Sequence, residues 1–390
     1  MTRMFEQMGA ARAPLAAFAA MGLAWGAYAA LIPDTKAMLR AGDAAFGSLL
    51  LATPLAAVAA MLLAPRVAPA FGPRVLPLSL MALALAFALP GWQHQPAAFA
   101  LAMVLVGLTN GFLDVVMTAR VGAIEAARAE GLMNLTHAAY SFGYAASAML
   151  TGGARSLGAS PGMVMTTAAL AILALSLIAV ERGADTNSFA QGARGRARLG
   201  PVPLWGGLIV LIAFMSENAA ENWSALHIER TLGGSPAAGS FGPAVLALTM
   251  GFGRIFGQAL VARLAERQVL GSGAVVAAAG MALAGLAPSP SLAYLGLVVV
   301  GLGGSVLAPT AFTLIGRLGP PDLRARRMAR ATALGYLGYF FGPPALGFIA
   351  ELAGLRLSFL AMALAILAVN LLVPPLMRAG TAARGAAETR

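Results

Sequence analysis

Residues 204–227 read LWGGLIVLIAFMSENAAENWSALH. No charge interrupts the run from Leu204 to Met215, and Glu217 and Glu221 then follow one helical turn apart, still inside apolar sequence. At about 1.5 Å per residue, such a run is long enough to cross a hydrocarbon core of about 30 Å. A charge at the bilayer centre costs about 2.5 to 3.5 kcal/mol even on the insertion scale, so a carboxylate there is expected to face a cavity or a partner. The stretch therefore predicts a membrane-spanning helix with two acids on one face.

The rest of the chain repeats the pattern. It has 390 residues, 59% hydrophobic and 11% charged, with a mean hydropathy of +0.80; a soluble domain carries about 25% charged residues. Apolar runs lie near 13–36, 44–65, 74–92, 97–119, 133–154 and 160–180, then near 204–227, 237–262, 271–287, 291–316, 330–350 and 355–377. The runs are apolar on every face, which excludes the alternating strands of a membrane barrel. Ala27-Tyr28-Ala29 imitates a signal cleavage site, but the first run is long enough to span and others follow it. The expectation is an all-α polytopic membrane protein with twelve transmembrane helices. Pro54 and Gly342-Pro343-Pro344 read as bend points within their runs.

A net charge of +11 suits nucleic acid when the basic residues cluster on one face. Here they sit in short connections, and nucleic acid is not expected as a partner. Most of the 26 Lys and Arg fall on alternate connections, from Arg3 and Arg12 through Arg66, Arg74, Arg120 and Arg128 to Arg317, Arg324 and Arg390. The intervening connections hold only Lys36, Arg40, Arg155, Arg230 and Arg356. By the positive-inside rule both termini are cytoplasmic, in a bacterial inner membrane. With no cysteine and three scattered histidines, no disulfide, metal site or thiol nucleophile is expected, and no cofactor.

The longest polar break, 182–203, is Gly- and Arg-rich and divides the chain into an N-terminal bundle, 1–181, and a C-terminal bundle, 204–390. Its arginines suit anionic membrane lipid. Phe46-Gly47 recurs as Phe241-Gly242, Gly143-Tyr144 as Gly338-Tyr339, and Gly152 as Gly347. Two pseudo-symmetric six-helix bundles, the architecture of rocking transporters, account for both features.

Depths counted along each helix sort the buried polar residues into two layers. Trp25, Tyr28, Tyr144, Glu217, Asn218, Glu221, Asn222, Tyr336 and Tyr339 fall near the midplane, where carboxylates and aromatic faces suit a small polar or cationic solute. Asn110, Asp114, Asn134, His137 and Arg254 lie nearer the cytoplasm. Asp114 and Arg254, from opposite halves, could close an inner gate with Asn110 beside them, and a purely structural polar cluster is an equal reading. Glu217, with Asp114 and His137, is a candidate to carry a proton.

Several segments carry a resemblance. Gly111-Phe112-Leu113-Asp114-Val115-Val116-Met117, His137-Ala138-Ala139-Tyr140-Ser141-Phe142-Gly143, Glu217 followed by Asn222-Trp223, Gly253-Arg254-Ile255-Phe256-Gly257 and Gly342-Pro343-Pro344 together resemble the major facilitator superfamily, within it the YbjJ-like and fucose-permease-like bacterial group. Thr118 stands where that group has Asn, and Gln258 where it has an acid. The loop after the second helix keeps only Gly72 and Arg74 of the family's usual pattern, with Pro65, Pro69 and Pro73 interspersed.

The expected function is secondary active transport of a small polar organic solute by alternating access, proton-coupled, with sugar-type uptake ahead of proton-driven efflux of drugs or metabolites, in a monomeric protein. No phosphate-binding loop is present to use a nucleotide. A membrane sensor or an intramembrane enzyme is the competing class. For an enzyme the sequence offers only His137 and Ser141, spaced i, i+4.

Overall fold

Proline and glycine set where the apolar runs break. The computed structural model describes residues 9, 11–128, 132–181, 199–261, 264–318 and 323–388, and among them every regular element is helical. The N-terminal half comprises α1 (Arg12–Met38), α2 (Asp43–Leu49), α3 (Ala52–Val67), α4 (Val75–Phe87), α5 (Pro96–Arg128), α6 (Met133–Ser156) and α7 (Pro161–Ile178). The C-terminal half comprises α8 (Val202–Leu226), α9 (Pro236–Val261), α10 (Glu266–Leu286), α11 (Pro290–Gly304), α12 (Leu307–Arg317), α13 (Arg324–Leu367) and α14 (Val369–Glu388).

Two runs expected as single helices are interrupted. The 44–65 run breaks between α2 and α3 because Pro54 has no N–H to return to the carbonyl of Leu50, and Pro309 does the same to Ser305 between α11 and α12. The helix expected over 97–119 instead runs on to Arg128. Its AIEAAR extension is a good helix former, and Arg120 is clamped by Glu181 through bonds of 2.7 and 3.1 Å.

Among the described residues, eight helical stretches are long and apolar enough to cross a membrane, and two of these, of 50 and 56 residues, are too long for one crossing. Each contains a glycine in the left-handed region, Gly72 at φ 52° and Gly354 at φ 82°, where the backbone leaves the helix and starts another. Dividing both there gives ten such segments among the described residues, and α6 and α9, which carry polar cavity residues, are also long enough to span.

The apolar packing forms two main cores, one from Ala11 to Ala179 and one from Val202 to Ala379. A small third cluster joins them: Ala29 and Ala30 of α1 with Ala145 and Ala148 of α6 against Ala244 and Ala247 of α9. Small side chains let these helices approach closely. Large apolar residues such as Leu62, Leu150 and Leu352 are exposed on the outside, as a lipid-facing surface requires.

Candidate functional site: a polar cavity between the halves

Gly22 and Gly26 face α6 from adjacent turns of α1. A Cβ on either would run into the backbone carbonyl of Tyr140 or Tyr144, so the two helices lie in backbone contact. That contact brings Trp25 and Tyr28 of α1 to the same space as Tyr140 and Tyr144 of α6. In the other half α8 packs on α13. Phe214 stacks on Tyr339 with centroids 5.0 Å apart and meets Tyr336 edge-on at 5.9 Å. The two groups line one cavity of about 330 Å³.

Its polar groups are unevenly partnered. Arg254 Nη2 donates to Glu217 Oε1 at 2.8 Å, within the C-terminal half, while its Nη1 reaches Ser141 Oγ of the other half at 3.4 Å. Tyr336 Oη donates to Asp114 Oδ2 at 3.4 Å, also across the halves. Trp25 Nε1 donates to Asn110 Oδ1 at 2.9 Å. Among the described residues, Tyr28 Oη, Thr53 Oγ1, Tyr144 Oη and Asn218 Oδ1 are buried in the lining without a hydrogen-bond partner.

The distal end of the bundle, where α1 finishes, is different. Arg155 at the end of α6 has a side chain 1% exposed and grips two acids. One is Asp34 of its own half, at 2.7 Å through both Nε and Nη2; the other is Glu229 of the opposite half, at 2.7 and 3.0 Å. Nearby, Asp43 takes Arg230 of the opposite half at 2.6 and 2.8 Å and Lys36 at 3.1 Å. Glu351 accepts the Asp43 backbone N–H at 2.6 Å, a C-terminal-half carboxylate seated on the first turn of α2. At the proximal end, ion pairs such as Arg120–Glu181 and Arg317–Glu266 stay within one half, and among the described residues none crosses. The cavity is thus bounded on one side by a charged seal.

Comparison with known proteins agrees with this geometry. Residues 207–388 match the model of the Major Facilitator Superfamily. An uncharacterised MFS-type transporter of Yersinia pestis is 31% identical over 363 residues, covering 90% of this chain and 92% of that protein. The chain belongs to the major facilitator superfamily. Among solved structures, a bacterial homologue of the human lysosomal transporter Spinster, inward-facing and occupied, superposes with a TM-score of 0.73 at 14% identity, over 97% of each chain. The inward-open xylose transporter XylE of E. coli gives 0.73 at 12% identity, over 94% of this chain and 95% of that one. The fold is therefore that of the superfamily, and the chain is a multi-pass secondary transporter rather than an enzyme.

Within that fold, the residues of both expected layers meet around one cavity. Trp25, Tyr28, Tyr144, Glu217, Asn218, Glu221, Asn222, Tyr336 and Tyr339 line it, and so do Asn110, Asp114, His137 and Arg254. Asn134 does not; it is exposed and is not part of the lining. The expected Asp114–Arg254 pair is not made in this conformation, because Glu217, on the neighbouring helix of the same half, holds the guanidinium. Nor do His137 and Ser141 pair: His137 sits edge-on to Phe18 at 5.0 Å, and Ser141 faces Arg254. Sequence reasoning misses Tyr140 and Phe214 as lining residues, and it treats Arg155 and Arg230 only as loop charges. The acids Asp34, Asp43 and Glu229, each within a few residues of a basic one, are the available signal. The 182–203 connection lies largely outside the described residues.

Proposed function

We propose that the protein carries a small polar organic solute across the bacterial inner membrane by alternating access, coupled to protons, with both termini in the cytoplasm and the monomer as the working unit. Among the described residues the ion pairs that cross the halves, Arg155–Glu229 and Arg230–Asp43, lie at the distal end, and they carry this reading. If that end is the outer one, as the charge asymmetry of the loops supports, the cavity belongs to a conformation closed to the outside.

Arg254 then links proton and gate. It is bound to Glu217 here, at 2.8 Å. Once the empty protein has turned outward, protonation of Glu217 from the outer side removes that counter-ion and frees the guanidinium for Asp114 of the other half, which holds the cytoplasmic ends together. Returning to Glu217 expels the proton inward as those ends part. His137 lines the same cavity and is a further site for a proton in transit. Solute contacts fall to Trp25, Tyr28, Asn218, Glu221, Asn222 and the tyrosines. Because the proton and solute sites use different carboxylates, both can be loaded together, which supports uptake in the direction of the proton gradient over efflux.

The test is Glu217→Gln in reconstituted vesicles. Gradient-driven accumulation should be abolished while solute counterflow continues, since Gln keeps the shape and releases no proton. A Glu217→Gln protein that still concentrates its solute removes the coupling role, and reporter fusions placing Arg390 outside would reverse the orientation.

A further inference from the structure

We infer that the transported solute bears a protonated amine and that the Glu221 carboxylate is its counter-ion. This rests on the transporter reading above and narrows it to a chemical class. It starts from the charges around the cavity. Asp114, Glu217 and Glu221 line it against one guanidinium, Arg254. Arg254 is committed to Glu217, and Asp114 receives the Tyr336 hydroxyl. Glu221 has no hydrogen bond or ion pair among the described residues. A carboxylate in such a cavity needs a direct counter-charge or several donors; Arg254, bound to Glu217, acts on Glu221 only from a distance and leaves the place beside it open.

A second observation, independent of the acids, points the same way. The hydroxyls of Tyr28 and Tyr144, on side chains 1% exposed, and Asn218 Oδ1 have no partner, and all three residues line the cavity. Asn218 and Glu221 are three residues apart on α8, so their acceptor oxygens lie on one face of the helix. An ammonium offers three donors and no acceptor, which suits a carboxylate, an amide oxygen and phenol oxygens on residues that line one cavity. Aromatic ring faces beside it attract the same charge. A neutral polyol would meet the tyrosines equally well but would leave Glu221 without a counter-charge. A quaternary ammonium would balance the charge but bring no N–H for Asn218, and an anion would be repelled.

The experiment uses thermal unfolding of the purified full-length protein, titrated with glucosamine, tyramine and ethanolamine and, pair by pair, with glucose, tyrosol and ethylene glycol. Binding to the folded state raises the melting temperature in a concentration-dependent way. At least one amine should stabilise the protein where its hydroxyl counterpart does not. That response should vanish in Glu221→Gln and persist at higher concentration in Glu221→Asp, which keeps the charge on a shorter arm. Unliganded unfolding of the Gln variant checks its fold, and the Asp variant tests the charge if the Gln variant does not fold. Equal responses within every pair, or an amine response that survives in Glu221→Gln, overturn the inference. Flux of the same compounds in vesicles separates the two readings. Amines that bind through Glu221 and are never carried would refute transport and leave the amine site standing; preferential carriage of the hydroxyl compounds would refute the amine site and leave transport standing.

Discussion

The distal end and the cavity hold similar side chains in opposite ways. At the distal end Arg155 takes Asp34 and Glu229, and Asp43 takes Arg230 and Lys36, so each of these charges meets an opposite one. Among the described residues, one ion pair is made in the cavity, Arg254 with Glu217, and around it stand an unpaired carboxylate, two unpartnered phenols, the unpartnered Thr53 hydroxyl and an unpartnered amide oxygen. Pairs that cross from half to half stabilise one conformation of a two-state machine. Groups left open are available to something that arrives and leaves. The comparison thus separates the part of the molecule that keeps a conformation from the part that recognises a solute.

The largest expected effect breaks the seal. Arg155→Gln leaves Asp34 and Glu229 facing each other without a cation, and losing one partner of a buried ion pair costs about 3 kcal/mol or more. The chain has no cysteine, so a single Ser240→Cys beside Arg155 reports the state of this end without background. Maleimide labelling of that cysteine should accelerate by about a hundredfold or more in the Arg155→Gln background. Unchanged labelling would mean that the apolar packing of α1, α6 and α9 closes the end and the ion pairs only decorate it.

A smaller effect is expected at the proposed inner pair. In the Glu217→Gln background Arg254 has lost its competing partner, so Asp114→Asn and Arg254→Gln should show a coupling of about 0.5 to 3 kcal/mol in a double-mutant cycle of counterflow rates. Strict additivity would leave Asp114 and Arg254 as independent residues of their own halves. The smallest effect sharpens the other side of the comparison. Tyr144→Phe removes a hydroxyl that has no partner, so the unliganded melting temperature should stay within the change of about 0.5 kcal/mol usual for neutral substitutions. Solute affinity should fall by roughly two- to tenfold, the worth of one hydrogen bond. A destabilised Tyr144→Phe would show that the hydroxyl serves the fold.

Much of the site is legible in the sequence. Glu217 and Glu221 stand out because charge inside an apolar run is costly, and Trp25, Tyr144 and Tyr339 follow from comparable depth along their helices. Phe214 is not legible: a phenylalanine in an apolar helix looks the same whether it faces lipid, a neighbouring helix or a cavity. Its place between Tyr336 and Tyr339 depends on how α8 is rotated against α13. The breaks at Leu50 and Ser305 are legible only in part. Pro54 marks a bend in the middle of its run, whereas Pro309 stands among small residues near the end of a longer one, where nothing in the pattern separates a bend from a continuous helix.

The sequence by itself determined that the chain is helical and lies in a membrane, because apolar length, the alternation of charged loops and the cost of a buried carboxylate are properties read along one dimension. Counting along the fixed rise of the helix also picked out most of the polar residues that line the cavity, though not Asn134. Only the tertiary structure decided that Arg254 belongs to Glu217 in this conformation, that Arg155 joins the halves at the distal end, and that Glu221 is left without a partner. Pairing depends on the rotation and approach of helices far apart in sequence, set here by contacts such as Gly22 and Gly26 against the α6 backbone, and depth alone does not specify it.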